Sequence, residues 1–195
     1  EMFMGPLEQT KPWSTAGVEG VYRFLARVWR LCMGENQEGK WVLSSAVQDV
    51  EPTSRQTKVI HATIKKVSED LESLAFNTAI SQMMVFVNEF TSAEVRPVSA
   101  LRTLLLLLNP FAPHLAEELW ETLGTRFAGF EERLAFAAWP KWDESKLVED
   151  EVELAVQVNG KVRSHLVVKK DATKEAIEKE ALATPRIQDL LGGKP

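Results

Sequence analysis

The hydrophobic period of the chain changes once, and that change decides most of what the chain can fold into. From Val18 to Leu123 apolar residues recur every three or four positions, whereas from Val152 to Val168 they recur every second one. The first period suits helices packed by one face, the second a pleated strand. No single regular element holds both, so the chain must divide. The division falls in an acidic run, where Asp143, Glu144, Glu149, Asp150, Glu151 and Glu153 face only Lys146. The expected organisation is a turn-rich lead-in over 1–13, an antiparallel helical bundle over 14–142, a solvated acidic linker over 143–150 and a small, incomplete α+β piece over 151–195. The fold class is therefore mainly α.

Within the bundle, Ser14 or Thr15 can cap a first helix. Val18, Val21, Tyr22, Leu25, Val28, Trp29 and Cys32 form its apolar stripe. Arg23, Arg27 and Arg30 then share the opposite side, with no acid on that face. Residues 33–53 read as a long surface loop with a short turn near Trp41. A second helix covers 54–74, burying Ile60, Ile64, Val67, Leu71 and Leu74. A third covers 76–90, with Ile80, Met83, Val87 and Phe90 inward and Asn77 as a cap or break. The fourth, 97–108, carries leucine on nearly every side and belongs at the centre. Asn109-Pro110 ends it, Pro113 starts a fifth helix, and Gly124 stops that one.

The alternation of Val152, Leu154, Val156 and Val158, then Asn159-Gly160, then 162–168, signals a β-hairpin. A two-residue turn would pair Val156 with Arg163 and Leu154 with His165, mixing apolar and charged residues on one face. A three-residue loop, Val158-Asn159-Gly160, pairs Val156 with Val162 and Val152 with Leu166 and sets Gly160 in a left-handed bulge. The second register is expected. It leaves Glu153, Gln157, Lys161, Arg163 and His165 on the opposite face. Thr173 can cap a helix through Ile177 and Leu182 that Thr184-Pro185 breaks. Two strands and one helix are a small core for an independent piece.

Little in the chain suggests catalysis. The three histidines lack partners at metal-ligand spacing, and His114 with Glu117-Glu118 does not make H-E-x-x-H. His61 and His114 read as structural, and Cys32, on the apolar stripe, as an inert core thiol. No phosphate-binding glycine loop occurs. Catalytic residues, metal ligands and a cofactor are not expected. A single cysteine excludes an internal disulfide framework and fits a reducing, cytoplasmic setting. The apolar run Leu104–Leu108 is far below the roughly 20 residues of a membrane span. No secretory signal opens the chain, and its start at Glu1 reads as an excised segment. Twenty-three basic against 28 acidic residues argue against coating DNA or any nucleic acid by bulk charge. What remains is two local basic surfaces: Lys11 with Arg23, Arg27 and Arg30, and Lys161, Arg163, Lys169 and Lys170 on the hairpin. Each is an ordinary solvated face or a set of phosphate contacts, for which the arginine fork is suited.

Several stretches carry a resemblance. Residues 5–13, Gly-Pro-Leu-Glu-Gln-Thr-Lys-Pro-Trp, resemble the segment leading from the catalytic core of bacterial leucyl-tRNA synthetases into their helical domain. Residues 76–83, Phe-Asn-Thr-Ala-Ile-Ser-Gln-Met, resemble that family's bundle. Residues 109–120, Asn-Pro-Phe-Ala-Pro-His-Leu-Ala-Glu-Glu-Leu-Trp, resemble a helix shared by the leucyl, isoleucyl, valyl and methionyl class I enzymes. Trp139-Pro140 fits, and residues 156–163 look like the leucyl family's C-terminal hairpin.

The resemblance implies an anticodon-binding-type bundle and part of a C-terminal domain, whose closing strand in the family follows the position of Pro195. It implies a monomeric parent enzyme that joins leucine to tRNA(Leu) with ATP and Mg. The HIGH and KMSKS motifs and the editing domain of that family are absent from this sequence. Lys11, Arg23, Arg27 and Arg30 on the bundle, and Lys161, Arg163 and Lys169 on the hairpin, are the candidate RNA contacts. Trp13 either stacks on a base or anchors packing. The alternatives are the same role in an isoleucyl or valyl enzyme, which the hairpin stretch disfavours, and a protein-interaction module using Trp139, Trp142 and the 33–53 loop.

Overall fold

The computed structural model describes residues 2–147, 151–158, 161–169 and 173–183. The expected turn at Asn159-Gly160, Lys170 and the helix break at Thr184-Pro185 lie outside them. The chain forms two units, 1–147 and 148–195, so the first extends past the boundary expected at 142. Its elements are α1 (Thr15–Cys32), β1 (Met33–Glu35), β2 (Trp41–Leu43), β3 (Val47–Gln48), α2 (Ser54–Glu72), α3 (Phe76–Thr91), β4 (Arg96–Pro97), α4 (Val98–Leu108) and α5 (Pro113–Gly124). Two 3₁₀ turns, Leu134–Phe136 and Glu144–Lys146, follow. The architecture is mainly α, as expected.

The core of the first unit is built around α4. Leu101 and the whole run Leu104–Leu108 are buried on every side, against α2, α3 and α5. A helix apolar all round is stable only when it is wrapped in this way. The ends are set by local chemistry. Ser14 Oγ accepts from the Gly17 N–H, capping α1. Thr53 and Gln56 form a reciprocal capping box at α2. Pro113 occupies the first turn of α5.

Several expectations change. The buried face of α1 is Phe24, Val28, Leu31 and Cys32, while Val18 and Tyr22 are exposed. The helix is thus turned relative to the expected stripe, because α3 and α5 take the Phe24–Leu31 side. Residues 33–53 are not a plain loop. β1 and β2 pair antiparallel, Met33 with Leu43 and Glu35 with Trp41. Asn36 Oδ1 accepts from the Glu38 and Lys40 N–H groups in their turn, and Gly39 takes the positive φ of 76° that closes it. β3 pairs parallel with β4.

Leu74, expected in the core, is exposed at φ 58°. α2 has ended by then, and the Ala75 N–H reaches back to the Asp70 carbonyl at 2.7 Å. Asn77 does not cap α3; Ala75 holds that position without a side-chain bond. Instead Thr78 donates to buried Asp70, which Lys66 also contacts. Gly124 is the last residue of α5 rather than a left-handed stop. Its missing side chain admits Phe130, whose Cβ would lie 3.1 Å from a Cβ there.

The second unit holds β5 (Glu151–Val158), β6 (Lys161–Lys169) and α6 (Lys174–Ala183), with α6 packed against β6. The hairpin register differs from the expected one. Val158 pairs with Lys161 and Gln157 with Val162, then the ladder shifts, so that Val156 pairs with Ser164, Leu154 with Leu166 and Val152 with Val168. The bulge leaves Arg163 as the extra residue. With the bulge, leucine and valine still stand opposite their like, Leu154 to Leu166 and Val152 to Val168.

Candidate nucleic-acid interface

The turn of α1 separates the three arginines of its stripe. Arg23 and Arg30 stay exposed, about 10 Å apart along the axis at 1.5 Å per residue. The stripe is not free of acid. Arg23 meets Glu19 at 3.6 Å, both side chains 68% exposed. A solvated pair of this kind is worth little and yields readily to a phosphate. Arg30 makes no ion pair or side-chain hydrogen bond with a described residue. Arg27 is half-buried and its Nη2 donates to Thr91 Oγ1 of α3 at 3.4 Å. Its position at the α1–α3 seam makes it the least available of the three. Lys11 is exposed in the lead-in, its stem crossing Gly5 so closely that a Cβ there would stand 2.8 Å from Lys11 Cε.

On the hairpin the register sorts the other candidates. Lys161 pairs with Val158 and Lys169 with Glu151, positions of opposite parity on β5. Arg163 is the unpaired residue of the bulge, between Val162 and Ser164.

Two arginines that the sequence does not flag turn out to hold the bundle together. Arg96 Nη1 donates to the Arg30 and Leu31 carbonyls, both at 3.0 Å, and Nε to the Phe90 carbonyl at 3.2 Å. One guanidinium thus serves the C-terminal ends of α1 and α3, where carbonyls lack helical partners and a cation is favoured. Desolvation lowers the Arg96 pKa, and the same burial pushes the Cys32 thiol up to about 12, so Cys32 stays a neutral core thiol. Arg102 lies over the Trp120 ring at 5.2 Å and donates to the Gly129 carbonyl at 2.9 Å, while Trp120 Nε1 donates to the Glu132 carbonyl. A lone arginine beside proline, and another among leucines, give no periodic signal.

The tail of the first unit crosses α2 as a strap. Trp139 Nε1 donates to Ser68 Oγ at 2.8 Å, and the Asp143 N–H donates to His61 Nδ1 at 3.0 Å. Lys65 Nζ and Trp142 Nε1 both reach Glu144 Oε1, at 2.8 and 3.0 Å. Asp143 and Glu144 are therefore fastened to the bundle rather than part of a free linker. Burial lowers the His61 pKa, partly offset by Asp143 and reinforced by Lys146. Hydrogen bonds from Ser145 hold Asp143 below the usual carboxylate range. The indole N–H groups of Trp139 and Trp142 are thus bonded within the molecule, while both residues remain 38% exposed. Among the described residues no group of three or more His, Cys, Asp or Glu could hold a metal ion, and no helix is long and apolar enough to cross a membrane.

A helical bundle followed by a strand pair, with exposed arginines along one helix, matches a known family. The model of the anticodon-binding domain of tRNA ligases matches residues 57–178. The chain belongs to this family. The anticodon-binding match runs across the division between the two units. Among curated relatives, the leucine–tRNA ligase of Rhodopirellula baltica is 47% identical over 194 residues, 100% of this chain and 20% of that protein. The leucine–tRNA ligase of Leptospira biflexa serovar Patoc is 50% identical over 184 residues, 94% of this chain and again 20% of the relative. The chain thus spans about a fifth of the length of the relatives it matches. A solved structure of the Agrobacterium radiobacter K84 agnB2 leucyl enzyme, in a ternary complex with tRNA and LeuAMS, aligns with 98% of this chain and 25% of its own. That alignment has a TM-score of 0.61 at 25% identity.

Proposed function

We propose that the chain is the tRNA-binding portion of a leucine–tRNA ligase, which positions tRNA(Leu) for ATP-dependent leucylation at a catalytic site outside residues 1–195. The observation that carries this reading is the near-50% identity to leucine–tRNA ligases along the whole anticodon-binding bundle and hairpin. ATP and Mg would serve that distant site, and the described residues offer no carboxylate or histidine cluster for the metal. The parent is read as a cytoplasmic monomer.

The contribution of these residues is positional. Phosphate contacts fix the register and orientation of an RNA without reading its sequence. Held in place, the acceptor end reaches the distant site by orientation rather than by chance encounter. Exposed Arg23 and Arg30 are the bundle residues best placed for this, with Lys11 beside the start of α1. Filter binding of a tRNA(Leu) transcript tests it. Two phosphate contacts predict that the double variant R23E/R30E loses about 2 from the slope of log K against log salt. Unchanged affinity and slope would reduce the stripe to a solvated face.

A further inference from the structure

Three polar side chains on one face of α2 hold the strap. His61, Lys65 and Ser68 stand at i, i+4 and i+7, and each makes one hydrogen bond to residues 139–144. The bonds differ in kind. Ser68 Oγ accepts from Trp139 Nε1, and neither group titrates near neutrality. Lys65 and Glu144 form a solvated pair, their side chains 34% and 66% exposed, which holds the strap only weakly.

The third bond can be switched. His61 Nδ1 accepts the Asp143 N–H at 3.0 Å. A neutral imidazole that accepts at Nδ1 carries its proton on Nε2, so the next proton must go to Nδ1. The ring then donates at both nitrogens and turns an N–H toward the Asp143 N–H. The second proton and the bond to the strap exclude each other.

The charges around the ring act in both directions. From the strap, the Asp143 carboxylate favours the charged ring and Lys146 opposes it. On α2 itself Lys58 and Lys65 stand one turn to either side. Asp143 Oδ1 already accepts from the Ser145 N–H and Oγ, at 2.9 and 2.7 Å, within the strap. The balance, led by burial, leaves the His61 pKa below 6.5.

We propose that His61 is a pH-sensitive latch: protonation at Nδ1 releases residues 142–147 from α2, while the Trp139–Ser68 bond and the bundle stay in place. Opening takes up a proton, because the released ring regains its ordinary affinity. The ratio of open to closed strap therefore rises about tenfold for each pH unit between 6.5 and the lowered value.

Fluorine NMR of the 195-residue chain carrying 5-fluorotryptophan reads strap and core together. Its six tryptophan signals are assigned by single Trp→Phe variants, and the imidazole C–H signals, assigned with H61N, give the midpoint of His61 itself. As pH falls, the Trp142 signal should move with that midpoint, while Trp139 and the core Trp120, 1% exposed, keep theirs. H61N, an acceptor that does not titrate, should hold the Trp142 signal at its closed position throughout. H61K, a permanent cation with no acceptor, should show the open position already at pH 8, with the Trp120 signal reporting that the bundle is folded. A Trp142 signal that stays still while the ring titrates would overturn the proposal. So would Trp142 and Trp120 moving together, which is unfolding. An H61N profile like that of the parent would also overturn it and assign the movement to the Asp143 or Glu144 carboxylate.

Discussion

Replacing Arg96 by Ala removes three hydrogen bonds and a cation from the point where α1, α3 and β4 meet. The cost can be worked from the acceptors. The Arg30 carbonyl belongs to an exposed residue and water can replace the guanidinium there. The Leu31 and Phe90 carbonyls belong to residues that are 1% and 0% exposed, and would be left without the donor. At about 1–3 kcal/mol for each polar group stranded in the interior, the loss comes to about 3 kcal/mol. For a unit of this size that corresponds to a fall of about 6–12 °C in Tm. The assay has a natural reporter. All six tryptophans, from Trp13 to Trp142, lie in the first unit, so urea unfolding followed by tryptophan fluorescence reads that unit alone. R96M keeps most of the stem without the donors and should lose nearly as much as R96A. R96K, with a point charge in place of a fork, should recover less than half. An R96A midpoint within about 0.5 kcal/mol of the parent, inside the range of an ordinary surface substitution, would show that the clamp is ornamental and the bookkeeping wrong.

Three further outcomes are expected. Leu74→Gly should stabilise the first unit by about 1 kcal/mol in the same assay, since an exposed leucine at φ 58° bears a left-handed strain that glycine does not. With its folded pKa below the ordinary 6.5, His61 binds fewer protons folded than unfolded. Its contribution is therefore complete above pH 6.5 and lost as pH falls through the lowered value. His61→Asn, which keeps an acceptor for the Asp143 N–H, should flatten that part of the stability–pH curve, and an unchanged slope would refute the assignment. In hydrogen exchange, β5 and β6 should exchange faster than α4, because a two-stranded ladder is marginal in water. Equal protection would show that the hairpin unit is self-sufficient.

The long helices were legible because their apolar periods are long; α4 in particular announces its central place through its leucines. Side-chain periodicity failed where two stripes overlap. α1 can bury Val18–Tyr22–Leu25 or Phe24–Val28–Leu31, and only its neighbours α3 and α5 decide. The strands β1 to β4, two or three residues each, are too short for any period to register. The hairpin misled for a related reason. A bulge adds one residue and reverses parity, so an alternation read straight through Arg163 gives a wrong face for every residue on one side of it. The candidate interface was legible only in its composition. That Arg23 has Glu19 beside it follows from i, i+4 spacing and could have been found. That Arg27 leans on Thr91, and that Arg96 serves two helix ends, depends on residues more than sixty positions apart.

The partners of α1 have a consequence for how the protein is made. Its contacts are with α3 and α5, whereas α2, α3, α4 and α5 pack mainly on one another. Synthesis releases the N-terminus first. α1 therefore leaves the ribosome before α2 to α5, and its site is incomplete until Gly124 has been added. Throughout that interval the face that will bury Phe24, Val28 and Leu31 lacks the helices that cover it.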